Sequence, residues 1–362
     1  MLLILVLISR KEDIVIQYQL KLRMCKQQEQ QCEQFLFHLS SVWNWAVRKI
    51  ELNAKDHIYF SKMEFQNFLA NHSEKMGIPS HTLQGVICTA HDAWKRCFKK
   101  IGGKPRLKGM RNKMSSIPFP DPIKAPKGNR ITLPALGSVR FHKMELPEGK
   151  IKCGRVVKRA SGWYLCLFID AQPKVIERTG HGVIGIDGGF KDLLTLSTGE
   201  KIAHPRELEA VAERLAQAQR GHDKQLAARI QERIANRRKD RNHKLSYRLV
   251  AENVVIKFSA DNHKAVARRF GKSVCSSGHS QLQKMLSYKS PQSGTEYFEI
   301  EPRNSTKRCW VCRDLTGPSG LSDLAVREWR CIRCGTFHDR DVNASFVTLT
   351  TPAAGYAVEV CT

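Results

Sequence analysis

The chain has 362 residues, 41% of them hydrophobic, and a formal net charge of +26. That length supports two or more domains with a sizeable core, and the hydrophobic share excludes a wholly disordered chain. A charge so far from zero calls for a polyanionic partner, nucleic acid ahead of a membrane surface.

The N-terminal run Leu2 to Ile8 is too short to span a bilayer. It lacks the leading positive region and small-residue cleavage site of a signal peptide. It reads as a buried strand, or as sequence upstream of the true start. No other stretch is long and apolar enough to cross a membrane, so a cytoplasmic, nucleoid-associated protein is expected.

Residues 12–22 alternate apolar and polar side chains, predicting a strand. From Gln27 to Leu52 the spacing of Phe35, Leu36, Leu39, Val42, Trp43, Ala46 and Val47 predicts a helix with one apolar face. Helices are also expected over 61–72 and 80–100, the latter capped by Ser80. The basic loop from Gly102 to Gly109 and a Pro-rich stretch to Pro126 follow. Residues 130–169 have strand patterning with alternating basic residues, as on a small sheet or barrel with one cationic face; with 12–23 they can form a barrel interrupted by the helices. Further on, 183–198 reads as strand, tight turn and strand. Residues 206–250 read as long charged helix with a break at Gly221, Val254–Phe258 as a strand, 279–289 as a helix and Tyr297–Ile300 as a strand. Strand–helix alternation in this half predicts an α/β layer.

Of twelve cysteines, four form two knuckles, Cys309-Trp-Val-Cys312 and Cys331-Ile-Arg-Cys334. This spacing fits a four-thiolate zinc ribbon, a structural site because no coordination position stays open. Iron takes the same ligands. The other eight are scattered, consistent with reduced thiols acting as small hydrophobes. Asp187 ends an apolar strand and precedes two glycines, a placement suited to Mg²⁺ or to a turn. Asp341 follows the second knuckle; the structural alternative for it is an N-cap of the helix beginning Val342-Asn-Ala-Ser.

Several stretches together resemble the TnpB (OrfB) family of transposon-encoded RNA-guided nucleases, relatives of type V CRISPR effectors. They are Gly185-Ile-Asp187-Gly-Gly-Phe-Lys191-Asp192-Leu193, the two knuckles and Asp339-Arg-Asp341-Val-Asn343-Ala344. Upstream, Ile78-Pro79-Ser80-His-Thr-Leu-Gln84, Lys104-Pro105-Arg106-Leu-Lys108 and Leu133-Pro-Ala-Leu-Gly137 agree. So do Thr316-Gly317-Pro318-Ser-Gly320-Leu321 and Val326-Arg327-Glu328-Trp329. The resemblance implies a multidomain α+β and α/β fold. A wedge-like β-barrel is expected at 1–24 and 125–175, with a helical insertion and basic linker at 25–124. An RNase H-like RuvC domain is expected at 176–304 and 336–362, with the zinc ribbon inserted at 305–335. The implied partners are a guide RNA and double-stranded target DNA bearing a short adjacent motif, read by the barrel and helices.

A RuvC site uses three carboxylates holding two Mg²⁺ ions. By resemblance Asp187 is the first and Asp341 the third. The middle glutamate is expected after Val254–Phe258, where Ser259 stands, or seven residues before Cys309, where Pro302 stands. Glu301 is the nearest substitute. If Pro302 marks the inward position, however, Glu299 and Glu301 fall out of phase unless a bulge rescues Glu301. Glu252 precedes the strand. The expected function is therefore RNA-guided DNA binding with a crippled nuclease, as in the family's TldR-type repressors. The alternatives are an active Mg²⁺-dependent endonuclease using Glu301, and a guide-free transposon-encoded DNA-binding protein. Lys104, Arg106 and Lys108 in a flexible loop, Arg233, Arg237, Arg238 and Lys244 on a helical face that also carries Arg229 and Arg241, and Arg268 with Arg269 are the expected phosphate contacts. Trp43, Trp45 and Trp94 are expected in the core.

Overall fold

The structure is a computed structural model. It describes residues 15–353 apart from 70, 111, 208, 261–270, 272–275, 302, 320–322 and 324. Leu2 to Ile8, Arg268, Arg269, Pro302, Cys275 and Cys361 therefore lie outside the described residues. The fold is mixed α and β, and the chain divides into two compact units, Met1–Pro173 and Lys174–Thr362.

In the first unit a six-stranded antiparallel sheet has the order β2-β5-β6-β1-β4-β3. Its strands are β1 (Val15–Arg23), β2 (Ser116–Phe119), β3 (Arg130–Leu133), β4 (Gly137–Phe141), β5 (Lys150–Arg159) and β6 (Gly162–Asp170). β1 joins the strands after residue 115 by pairing through Val15–Lys21 with β6 and through Leu22–Arg23 with β4. The sheet is a curled half-barrel. Among the described residues β2 and β3 remain its two edges. β2 arises within the Pro-rich stretch; its Pro118 lacks an N–H, and an edge position tolerates that loss.

Between β1 and β2 lie α1 (Lys26–Lys55), α2 (Lys62–Asn67), α3 (Ser73–Met76) and α4 (Ser80–Phe98). The apolar stripe of α1 is buried, with Phe35, Leu36, Leu39 and Val47 at 3% exposure or less. It shares one core with Leu83, Val86, Ile87 and Ala90 of α4 and with the sheet. Trp43 and Trp94 are buried, and Trp45 stacks on Phe65. Ser80 is not the cap expected of it: Pro79 occupies that position and Ser80 begins the helix. The expectation of a flexible basic loop is also corrected. Trp43 Nε1 donates to Arg106 O and Asn44 Nδ2 to Lys108 O, while Lys108 N donates to Asn44 Oδ1, which pins the loop to α1.

The second unit holds a five-stranded sheet of order β11-β10-β7-β8-β9. The strands are β7 (Gly182–Gly188), β8 (Asp192–Leu196), β9 (Lys201–Ala203), β10 (Asn253–Ser259) and β11 (Glu296–Ile300). β7, β10 and β11 are mutually parallel, and β7-β8-β9 is an antiparallel meander. One face carries Ile184, Ile186, Ile256 and Phe258, packed with residues of α6 (Lys224–Glu252) and α7 (His279–Lys289). The opposite face takes α8 (Arg340–Thr350) at close range: a Cβ on Gly185 would collide with Ser345 O and Leu349. Before α6, the short α5 (Ala212–Arg220) ends with Gly221 as its cap. A hairpin, β12 (Glu328–Arg330) and β13 (Phe337–Asp339), completes the unit. No helix among the described residues is long and apolar enough to cross a membrane.

Lys289 at the end of α7 is buried, donating to His243 O and Ser246 Oγ of α6. Burial pushes its ammonium down to about 8. The folded state therefore releases this proton before the unfolded chain does. Stability rises with pH from about 8 towards the ordinary lysine value, because the unfolded chain binds more protons there. Melting temperatures from pH 7.5 to 9.5 are expected to climb in the wild type relative to Lys289→Met. Parallel curves for the two proteins would refute this assignment.

Candidate nuclease-like centre and four-cysteine site

Strand register aligns one row of residues on the α8 face of the second sheet. Lys201 pairs with Thr195, and Thr195 with Asp187. Phe258 pairs with Ile186, so the next residue, Ser259, stands beside Asp187; Ser259 in turn pairs with Ile300. The row thus reads Lys201, Thr195, Asp187, Ser259, Ile300. It contains a single carboxylate. Ser259 is buried, at 2% exposure, and its Oγ accepts the N–H of Gly188 at 3.2 Å.

The placement of α8 over this row follows from both of its ends. At its C-terminus the buried Lys257 Nζ donates to Leu349 O and Thr351 O, each at 2.8 Å, a cation placed where helix carbonyls lack partners. At its N-terminus Asp339 is the cap, accepting from Asp341 N and Val342 N. Asp339 also holds Lys201 Nζ at 2.6 Å. Burial pushes the Asp339 carboxyl up, but Lys201 and the two N–H groups outweigh it and hold the group below its ordinary value. Lys201 is raised by Asp339 above all, with Asp341 and Asp192 adding to the field. The capping role considered for Asp341 therefore belongs to Asp339. Asp341 lies in the first turn, with Arg327 Nη1 3.5 Å from its carboxylate.

The other acids sit elsewhere. Glu299 pairs in register with Phe258 and accepts from the Tyr297 hydroxyl, which places it on the α6/α7 face, away from Asp187. Glu301 is exposed and follows the last residue of β11. Glu252 ends α6 and is exposed.

Cys309, Cys312, Cys331 and Cys334 converge, their Sγ atoms all within 4.8 Å of one another. The Cys309–Cys334 and Cys312–Cys331 separations are 3.7 and 3.6 Å. A tetrahedron with ligands about 2.3 Å from zinc has edges of about 3.8 Å, so the set fits that ion. Two partners escaped sequence reasoning. His338 Nε2 lies 3.1 Å from Cys309 Sγ, its ring against Trp329, and Thr316 Oγ1 donates to Cys331 Sγ at 3.1 Å. Polar groups packed against the sulfurs in this way orient and stabilise thiolates. Asn343 joins the knuckle to α8: its Nδ2 donates to Ser305 O and Arg308 O, and its Oδ1 accepts from Trp310 N.

Among the expected phosphate contacts, Arg106, Arg233, Arg237 and Lys244 are exposed and Arg238 is half-buried. Lys244 also pairs with Asp240, Lys104 with Glu51, and Lys108 lies over the Trp43 ring. Arg241 departs from the expected cationic face. It is half-buried, with Nη1 on both carboxylate oxygens of Glu207 and Nη2 on Ser277 O, so it braces the fold.

Two family models match the chain: OrfB_IS605, described as "Probable transposase", over residues 169–259, and the Cas12f1-like TNB domain over 279–348. A Streptomyces pristinaespiralis protein named as an RNA-guided DNA endonuclease is 32% identical over 313 residues, 81% of this chain and 75% of the relative. The Escherichia coli protein InsQ, similarly named, is 25% identical over 78% of this chain and 76% of its own. Among solved structures, a Cas12f1–sgRNA–target DNA complex aligns over 92% of this chain and 98% of its own, with TM-score 0.38 and 16% identity. A CRISPR-Cas12f ternary complex aligns over 90% and 82%, with TM-score 0.39 and 14% identity. With both halves of the second unit matched by family models and most of the length shared with a relative at 32% identity, the chain belongs to the TnpB/OrfB family of RNA-guided DNA endonucleases.

Proposed function

We propose that this protein binds double-stranded DNA under the direction of a guide RNA, that its RuvC centre is impaired, and that its output is occupancy of a target such as a promoter. In this reading the half-barrel (1–24 and 125–175) and helical insertion (25–124) read a short adjacent motif. The second sheet with α8 (176–304 and 336–362) is an RNase H-like RuvC domain, and residues 305–335 form a zinc ribbon. The strand order of a meander followed by two parallel strands supports the RNase H-like assignment. The observation that carries impairment is Ser259, buried beside Asp187 and engaged by Gly188 N–H where the family's glutamate is expected. Asp187 and Asp341 are the residues that would hold Mg²⁺, which supplies charge neutralisation at phosphate oxygens when bound. Two carboxylates, one of them near Arg327, fall short of the donor set for a two-metal site.

The test supplies guide RNA, target DNA and Mg²⁺, with Asp187→Ala as control, and reads binding and cutting separately. Guide-dependent binding with cutting at the level of the control is the expected result. Robust cutting abolished by Asp187→Ala would overturn the impaired reading. The relatives' names favour a second reading, an active endonuclease; with Glu301 taken as its third acid, Glu301→Gln should eliminate the cutting. Sequencing of co-purified nucleic acid separates both from a guide-free DNA-binding protein, which would carry no specific RNA.

A further inference from the structure

The helical part of the first unit holds a cavity of about 330 Å³, in the other compact unit from Asp187, Asp341 and the four cysteines. Its size falls in the range of small-molecule sites, about 300–1,000 Å³. Its walls are aromatic: Trp94 stacks on Phe98, Tyr59 packs edge-on against Phe98, and Phe60 and Phe65 close the interior. Tyr59 and Phe98 are 68% and 49% exposed, so the mouth presents aromatic rings to solvent. Lys95 and Lys99, on the last turn of α4 and just beyond it, also line the cavity.

Two buried polar atoms among these walls have no hydrogen-bond partner, Asn53 Nδ2 and His91 Nδ1. Asn53 is 8% exposed. Its Nδ2 is a donor. The other imidazole nitrogen, His91 Nε2, lies 3.2 Å from Phe60 O, and a carbonyl can only accept. His91 Nε2 therefore carries the proton, and His91 Nδ1 is left as an acceptor. Buried polar groups without partners carry a substantial free-energy cost and call for an explanation, and a ligand that satisfies them is one. The cavity thus offers one donor and one acceptor inside an aromatic box with cations at its edge.

We infer that this cavity takes a single unstacked base bearing an amino group beside a ring nitrogen, adenine or cytosine, from a nucleic-acid strand. The exocyclic amino group would donate to His91 Nδ1 and the adjacent ring nitrogen accept from Asn53 Nδ2. The rings of Tyr59 and Phe98 would cover the base, and Lys95 and Lys99 its phosphates. Base edges are read by such pairs, and extruded bases are held by aromatic stacking. Thymine and uracil present an N–H flanked by carbonyls, which reverses the pattern at the ring nitrogen. The inference does not depend on whether the protein cuts DNA or carries a guide.

The test uses RNA-free full-length protein and fluorescein-labelled 12-mers, all-thymine and the same strand with one central adenine, together with their uracil-based RNA counterparts. Fluorescence anisotropy at physiological salt is expected to show about tenfold tighter binding of the adenine-bearing strand. The backbone on which the preference is larger identifies the natural strand. Asn53→Leu is expected to erase the preference, leave all-thymine affinity unchanged and raise the melting temperature, because it removes a buried donor without a partner. Tyr59→Ala, a change at an exposed position that keeps the fold, should weaken the adenine strand selectively. Equal affinities in the wild type on both backbones, or a preference that survives both substitutions, would overturn the inference.

Discussion

Ser259→Glu is expected to raise guide-directed cutting by about a hundredfold or more while leaving the affinity for target DNA unchanged. The residue lies in the sheet row that carries Asp187, under the N-terminal end of α8, and its Oγ already accepts the Gly188 N–H. A glutamate there can keep that hydrogen bond with one oxygen and direct the other towards Asp187. A third carboxylate completes the donor set for a second divalent cation, and a metal ion's stabilisation of transition-state charge is worth several kcal/mol, at about 1.4 kcal/mol per factor of ten. Binding should not change, because phosphate affinity comes from exposed cations such as Arg106, Arg233 and Arg237, whereas Ser259 is buried in the sheet. The experiment compares cleavage rates and binding isotherms of wild type, Ser259→Glu and Ser259→Glu with Asp187→Ala, with melting temperatures to confirm folding. A folded Ser259→Glu protein that cuts no faster, beside a wild type whose cutting is lost in Glu301→Gln, would mean that Glu301 is the third acid.

How much of this was legible beforehand depended on the range of the interaction involved. β1 and the apolar face of α1 follow from local periodicity, so residues 12–23 and 27–52 could be read directly. Ser259 was also legible, because it ends a strand whose apolar run marks its own boundary. What local pattern concealed were long-range pairings. β2 is hidden among prolines because only its edge position makes Pro118 tolerable. Arg241 looks like one more cation on a basic helix until Glu207, distant in sequence, is placed against it. Asp339 and Asp341 look interchangeable, yet only Asp339 has the extended backbone of a cap and Lys201 beside it. His338 offered no signal beyond following the last cysteine. The row of Lys201, Thr195, Asp187, Ser259 and Ile300 draws on all five strands and exists only once their register is known.

The Asn343 amide makes the four-cysteine site a determinant of α8, and removal of its metal should therefore have consequences beyond the ribbon. The hairpin's own core is Cys309, Trp329 and Cys331, with Cys312 packed alongside, too little apolar surface to hold a fold without further support. Structural zinc in comparable small sites is worth about 10–16 kcal/mol of folding free energy. Chelation, or Cys331→Ser, is expected to unfold residues 305–339 and leave the first unit's core intact, since that core is built from separate residues. Loss of the knuckle also removes the backbone groups that Asn343 holds, Ser305 O, Arg308 O and Trp310 N. The first turn of α8, with Asp341 in it, then loses its tether to the knuckle. Hydrogen exchange should accordingly show faster exchange through residues 305–345 of the stripped protein, with α1 and α4 unchanged, and metal analysis should find one zinc per chain before stripping. Asn343→Ala is the finer probe: it keeps the four thiolates and their zinc, yet should raise exchange in the first turn of α8. If stripped protein exchanges like the loaded form, the cysteines do not hold this helix. If Asn343→Ala changes nothing while stripping does, the coupling runs through Trp310, which stacks on Phe346 of α8 at 4.5 Å, rather than through the Asn343 amide.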